Sequence, residues 1–291
     1  MDTRMLGQTG QKSTLLTFGA IVLRTLNQDG ANRMVELVRS HGVNHFDVAP
    51  TYGDAEVKLE PALRAHRDDI FLGCKTKART KEGAANELEQ SLERMGIENI
   101  DLYQFHAVTG RDELDAITSP DGALETFREA KASGIIDHIG LTSHGAPAVI
   151  LDAIERIDDL ETVMFPMNYT LLGKDDDEHD YRPVLRRAEE KGIGTIGIKT
   201  FAKGTWPPKN EISPGDRPYD TWYEPFDTQA RIDECLNFTL SQGLTSITNA
   251  GDPKLIPMIL DAAERFRTLS ESEQRALMDE GSSRSSPVPK R

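Results

Sequence analysis

FDVAPTYGDAE, residues 46–56, is the run of this chain that says most about the rest. Phe46, Asp47, Val48 and Ala49 read as the end of a short buried strand. Pro50 has no N–H to give to a ladder, so the strand stops there, and Thr51-Tyr52-Gly53-Asp54 turns the chain toward a helix. A carboxylate at the tip of an internal strand costs on the order of several kcal/mol unless a cation or hydrogen bonds meet it. Two later runs offer candidates: Lys75 in IFLGCKTK (70–77) and His106 in IDLYQFHAV (100–108), each at the exit of an apolar strand. An Asp–Lys pair alone is an ordinary structural feature. A lone strand-end histidine, or a tyrosine ahead of a helix, is an ordinary polar or packing residue. Four such residues on three successive strands point to a site.

Working outward, strands and helices alternate along the whole chain. A hairpin is expected over 4–14, ahead of core strands at 15–20, 43–48, 70–75, 100–105, 137–142, 162–165, 194–199 and 245–248. Helical spacing fills the intervals at 29–41, 55–65, 80–95, 121–133, 146–157, 181–191, 231–241 and 253–266, with one added helix at 270–278. Gly42, Gly96, Gly134 and Gly192 supply stops. Two stretches read as irregular, a polar loop at 107–119 and a proline-rich loop at 202–226 holding Trp206, Trp222 and Tyr223. GSSRSSPVPKR (281–291) reads as a flexible tail. Eight strands in alternation with helices, joined by short connections, imply parallel strands closed into a (β/α)8 TIM barrel, one domain over 1–280. A doubly wound sheet is the alternative, but no G-x-G-x-x-G follows the first strand.

Composition narrows the function classes. The 291 residues carry 48 acids against 34 bases, a net charge of −14, which disfavours nucleic acid as a partner. No run approaches the ~18 apolar residues of a membrane span, and MDTRMLGQTG is too polar for a signal sequence, so a soluble, cytoplasmic protein is expected. Cys74 and Cys235 read as reduced core residues, too few for an iron–sulfur cluster or a Cys-rich zinc site in this chain. The clusters DDDEHD (175–180) and ERIDDLE (155–161) read as solvated faces rather than cation sites. Arginine outnumbers lysine on this acidic background, a pattern suited to a high-salt cytoplasm where screening suppresses self-repulsion.

In such a barrel, chemistry gathers where strands exit into βα loops. The exits here carry Gly19-Ala20, Asp47, Lys75, His106, Ser143-His144, Asn168, Lys199 and Thr248-Asn249. Tyr52 is the natural proton donor. Free tyrosine titrates near pH ~10, and an ammonium within reach is expected to lower that value, with an aspartate behind it keeping the lysine charged. Asp47, Lys75 and Tyr52 are the parts for this arrangement, and His106 would orient the phenol or the substrate oxygen.

At this point the sequence resembles the aldo-keto reductase superfamily over nearly its whole length. The resemblance is carried by LGQTG (6–10), LTFGA (16–20), FDVAPTYGDAE, GCKTK (73–77), SLERMGIENIDLYQFHAV (91–108), GIIDHIGLTSH (134–144) and PMNY (166–169). It implies the barrel, an NAD(P)H-dependent carbonyl reductase, and a catalytic set of Asp47, Tyr52, Lys75 and His106. The branch it is most similar to is often fused to a ferredoxin-like iron–sulfur domain, whose cysteines this sequence lacks. The cofactor contacts implied are Gly19, Ala20, Asp47, Ser143, His144, Met164, Lys199, Thr200, Phe201, Asn249, Gly251 and Lys254.

Some of these depart from the superfamily's pattern. Ser143, His144 and Met164 stand where a Ser-Asn pair and a glutamine usually bind the nicotinamide amide, and methionine cannot replace that amide. Lys199, with Phe201 nearby, stands where a tyrosine often stacks under the ring. NAGDPK (249–254) replaces the usual phosphate loop. Gly251 and the following helix start still suit an anion and Lys254 could meet a 2′-phosphate, against repulsion from Asp252, so NADP(H) is slightly favoured over NAD(H).

The expected partner is a small carbonyl or alcohol substrate, the expected state a monomer or weak homo-oligomer, and no resident metal is expected. A cofactor-binding redox sensor without significant turnover is the alternative. A metal-dependent hydrolase on the same barrel is disfavoured, because His41 and His45 are separated by the helix-ending Gly42.

Overall fold

The structure is a computed structural model that describes residues 1–174 and 176–288. Its chain opens with β1 (Thr3–Met5) paired antiparallel with β2 (Lys12–Thr14). Then come β3 (Leu16–Gly19), α1 (Gln28–Ser40), β4 (His45–Asp47), α2 (Ala55–His66), β5 (Phe71–Thr76), α3 (Lys81–Met95) and β6 (Ile100–Phe105). The middle runs through α4 (Arg111–Ile117), α5 (Ala123–Ala132), β7 (Ile136–Thr142), α6 (Pro147–Arg156), β8 (Thr162–Pro166), α7 (Tyr169–Leu172), α8 (Arg182–Lys191) and β9 (Gly194–Ile198). A small ribbon, β10 (Ala202–Gly204) and β11 (Glu224–Pro225), precedes α9 (Gln229–Ser241), β12 (Ser246–Thr248), α10 (Ile256–Glu264) and α11 (Glu271–Ser282). Strands β3 to β9 and β12 are parallel and close into a barrel, each next to its sequence neighbour. This is the (β/α)8 architecture, with the hairpin in front and the extra helix behind.

Local chemistry sets the element ends. Thr80 caps α3 by accepting from the Gly83 amide, and Gly96 ends that helix in the left-handed region at φ 62°. Ser270 and Glu273 form a reciprocal capping box on α11. Inside the barrel, Leu6, Phe71, Leu102, Met164, Ile196 and Ile198 form an apolar cluster. Leu6 enters it from the hairpin. Gly7 and Gly194 permit that approach, since a Cβ on Gly7 would sit 2.3 Å from the Gly194 amide. The interior also holds a polar group: His45 Nδ1 lies 2.7 Å from Ser13 Oγ, and Thr17 Oγ1 lies 2.8 Å from Ser246 Oγ. Burial takes His45 down to about 3, so its ring is neutral.

The barrel closes between its first and last strands. Ile247 pairs with Leu16 and Thr248 with Thr17. Beyond them the Asn249 side chain accepts from the Gly19 amide at 2.7 Å and donates to the Gly19 carbonyl at 3.2 Å and the Ala250 carbonyl at 2.9 Å.

Three expectations change. Residues 107–119 are not only loop, because α4 forms there with Leu114 and Ile117 buried. The 202–226 segment is pinned by the β10–β11 ribbon. The tail expected to be flexible is packed as far as the structure describes it: α11 extends to Ser282, Ser285 Oγ accepts from the Thr205 amide at 2.8 Å, and Val288 is buried. Residues 289–291 of that stretch, and Asp175 of DDDEHD, lie outside the described residues. The ERIDDLE face is crossed by ion pairs to neighbouring helices, Glu155 with Arg187, Asp159 with Arg128 and Glu161 with Lys131. Among the described residues no helix is long and apolar enough to cross a membrane.

Candidate active site

Strand register brings the ionisable strand ends onto one face. Asp47 lies opposite Gly73 across the β4–β5 pair, and Lys75 lies opposite Gln104 across β5–β6. With side chains alternating along each strand, Lys75 and Gln104 flank the Asp47 carboxylate from the barrel interior. Lys75 donates to Asp47 Oδ2, and Gln104 Nε2 donates to Oδ1 at 2.9 Å. Both partners of the ion pair are buried, at 2% and 1% exposure, so almost no water compensates either charge. Gly73 leaves the room for this: a Cβ there would stand 3.2 Å from both Asp47 Oδ1 and Gln104 Nε2.

Lys75 Nζ also reaches the Val48 carbonyl at 3.1 Å and the Tyr52 hydroxyl at 3.3 Å. Burial works against the ammonium, but Asp47 and Tyr52 outweigh it and raise its pKa above the ordinary lysine value. For Tyr52 the outcome differs from the sequence expectation. Burial pushes the phenol up, Lys75 pulls it down, and Asp47 cancels part of that pull, leaving the pKa raised rather than lowered. Tyr52 therefore carries its proton at neutral pH. Because its oxygen accepts from Lys75, its own O–H is free to point into the cleft.

His106 stands edge-on to the Tyr52 ring, centroids 5.9 Å apart at 88°. Burial, with Lys75 and His144 nearby, takes it down to about 2, so it is a neutral imidazole. Thr51 Oγ1 lies 3.5 Å from its Nδ1, and Arg79 holds its carbonyl at 2.7 Å. Two non-glycine residues at strand exits, Ala107 and Lys199, take left-handed φ values of 55° and 58°, a conformation that concentrates at functional sites.

These groups open on a cleft whose wall includes Tyr52, Lys75, His106, His144, Met164 and Lys199. Asn249 and Gly251 line it too. Other residues in the expected cofactor set are engaged elsewhere or covered. Ser143 Oγ donates to the Val108 carbonyl at 2.6 Å and accepts from the Gly145 amide, while the Asn249 side chain, although on the cleft wall, is also the barrel-closing clasp. Thr200 and Phe201 are buried away from the cleft, Ala20 is fully buried, and Gly19 answers to Asn249. Asp47 lies behind Lys75 rather than on the cleft wall.

Past β12, Asp252 accepts from the Lys254 amide at 2.9 Å and the Asp220 amide at 2.8 Å, and Lys254 Nζ donates to the Pro218 carbonyl at 2.9 Å. The chain's own carboxylate thus occupies the place an anion would take at that helix start. Asn168, at the exit of β8, caps α7 and holds the Lys199 carbonyl at 2.8 Å.

Sequence reasoning missed Gln104, Thr51 and Arg24. A signal for Gln104 existed, since it sits two residues before His106 on one strand and so faces the same side. Arg24 pairs with Asp220 at 2.7 Å and lies over Trp222 at the cleft rim.

A nicotinamide dinucleotide is the group the sequence resemblance implies, and the cleft suits its ring end. A proton donor and a neutral imidazole line it beside apolar Ile21, Met164, Ile198 and Tyr223. Gly251 adds an open stretch of backbone, where an added Cβ would meet nothing nearer than 3.7 Å. Among the described residues no cluster of three His, Cys, Asp or Glu side chains is placed to hold a metal. His41 pairs with Glu264 at 2.6 Å while His45 is inside the barrel.

The aldo/keto reductase family model matches residues 15–272, and the chain belongs to that family. An uncharacterized oxidoreductase of Bacillus subtilis is 27% identical over 218 residues, 70% of this chain and 66% of the relative. A D-threo-aldose 1-dehydrogenase of Pseudomonas sp is 25% identical over 219 residues, 63% of each. These matches span just under two thirds of the relatives' own length. Among solved structures, the holo form of an aldo-keto reductase of Bacillus halodurans superposes with a TM-score of 0.72 at 22% identity, covering 95% of both chains. That likeness is one of fold.

Proposed function

We propose that this chain reduces an aldehyde or ketone to an alcohol with NAD(P)H, or runs the reverse oxidation, with Tyr52 as general acid. The observation that carries this reading is the Tyr52 hydroxyl in the cleft, 3.3 Å from a lysine ammonium that is itself bound to a buried carboxylate. The reduced nicotinamide, when bound, supplies the hydride for the carbonyl carbon. Tyr52 passes its proton to the carbonyl oxygen, which completes the alcohol. Its own oxygen then carries negative charge at the point where the Lys75 ammonium already donates. The stabilisation therefore grows as the phenolate forms, which is when it lowers the barrier. Asp47 and Gln104 hold Lys75 in place for that moment. His106, neutral and able to donate from one ring nitrogen, orients the substrate oxygen.

The cofactor's 2′ group is the finer question. Lys254 favours a phosphate there and Asp252 disfavours it, and the engagement of both within the chain makes the expected lean toward NADP(H) a slight one. A cofactor sensor would have no need of a phenol so placed. Tyr52→Phe is expected to lower turnover of a broad aldehyde panel by ~10²–10⁴-fold while leaving cofactor binding, read by fluorescence quenching, unchanged. Unchanged turnover would remove Tyr52 from the chemistry.

A further inference from the structure

The cationic groups around the cleft are met by acids or carbonyls in different ways. Lys75 is paired with Asp47, and Arg24 with Asp220. Lys199 is not so matched. It lines the cleft, and its ammonium donates to one neutral acceptor, the Pro287 carbonyl, at 3.1 Å. No described carboxylate makes an ion pair with it, and burial alone takes its pKa down to about 8. Its backbone is fixed in a left-handed turn, φ 58°, by the Asn168 amide on its carbonyl, so the direction in which the side chain leaves the strand is set.

A half-buried ammonium whose described partner is a single carbonyl is incompletely compensated, and an anion relieves it. The surroundings are arranged to admit one. The chain carries −14 overall, yet among the described residues the one carboxylate lining this cleft, Asp220, is held by Arg24. An acidic protein thus presents a cleft in which positive charge is the unanswered sign.

We propose that Lys199 recognises an anionic substituent, a carboxylate or phosphate, on the carbonyl substrate. The ammonium leaves the Pro287 carbonyl to meet it, and its flexible four-carbon stem gives it the reach. This rests on the reductase reading above and names the substrate class for the same cleft. The residues Met164 and Ile198 supply the apolar wall against which the body of such a substrate would lie.

The test uses two aldehydes that differ by one charge, 4-carboxybenzaldehyde and methyl 4-formylbenzoate. In the wild-type chain kcat/KM for the acid should exceed that for the ester by roughly tenfold or more, the scale of a charge-assisted hydrogen bond. Lys199→Met should bring the ratio close to one, and Lys199→Arg should keep part of it. Taking the ratio within each variant cancels effects on folding or on cofactor affinity. A wild-type ratio of one overturns the inference. So does a Lys199→Met variant that keeps the ratio but binds NADPH and NADH tenfold more weakly, since the ammonium then serves the cofactor's phosphates. Equilibrium binding of both aldehydes to the cofactor-loaded chain, followed by tryptophan fluorescence, separates this inference from the reductase reading. Tighter binding of the acid in wild type but not in Lys199→Met supports it even where neither aldehyde is turned over, a result that would sink the reductase reading alone. Equal binding in both overturns it.

Discussion

Lys75→Met removes the cation from the Asp47–Lys75 pair and leaves the carboxylate with Gln104 as its remaining side-chain donor. Asp47 is 2% exposed, so water cannot take the place of the lost partner. Stranding one member of a buried pair costs roughly 3–5 kcal/mol. For a domain of this size each kcal/mol moves the unfolding midpoint by about 2–4 °C, so a fall of roughly 6–20 °C is expected. The double variant Asp47→Asn/Lys75→Met removes the stranded charge and should recover a large part of that loss. Neither variant should regain turnover, because the donor to the Tyr52 oxygen is gone in both. Differential scanning calorimetry on the wild type, the two single variants and the double variant gives the coupling directly. A double variant as unstable as the sum of the singles, or a Lys75→Met midpoint within a degree of wild type, would refute the claim that the pair is a mutually dependent buried unit.

Other outcomes follow from the same structure. Burial opposes the Glu161 carboxylate, but bonds from His138, Lys131 and the Ile139 amide outweigh it and take its pKa down to about 2. Its stabilising effect is present above the unfolded value near ~4.3 and lost as pH falls toward 2. Glu161→Gln should therefore cost about 2–3 kcal/mol near neutrality, and denaturant titrations should show that gap shrinking by about half between pH 5 and pH 3. Asp252→Asn removes a negative charge next to Lys254 while keeping the oxygen that caps its amide. Titrations should show NADPH affinity rising severalfold relative to NADH, and an unchanged ratio would place the 2′ group elsewhere. The excess of acids predicts that helicity and thermal stability rise with KCl from 0.1 to 3 M, whereas full stability in low salt would remove the high-salt reading.

How much was legible in the sequence follows physical lines. Asp47, Lys75 and His106 stood out because an ionisable residue at the end of an apolar strand is a local anomaly that one residue's neighbours reveal. The alternation of periods made the barrel readable for the same reason. Helix α4 was not, because seven residues with only Leu114 and Ile117 facing inward carry too short a pattern to separate from a polar loop. Asn249 and Ser143 were read from their strand-end positions, and their side-chain partners, the Gly19 amide and the Val108 carbonyl, lie on other stretches of the chain that those positions do not reveal. The direction of the Tyr52 shift was out of reach as well. It is the balance of burial against two opposite charges, and only burial, which no single stretch encodes, decides its sign.

The Asn249 clasp has a consequence for how the chain is made. Gly19 and Asn249 are 230 residues apart, so the outer rim of β3 has no neighbour on one side until almost all of the polypeptide has left the ribosome. Through that interval the growing sheet presents a raw edge to other nascent chains. Replacing Asn249 with alanine should weaken the final zipping step more than any earlier one. Slower recovery of native fluorescence after dilution from urea, with aggregation rising steeply with chain concentration, is the signature to look for.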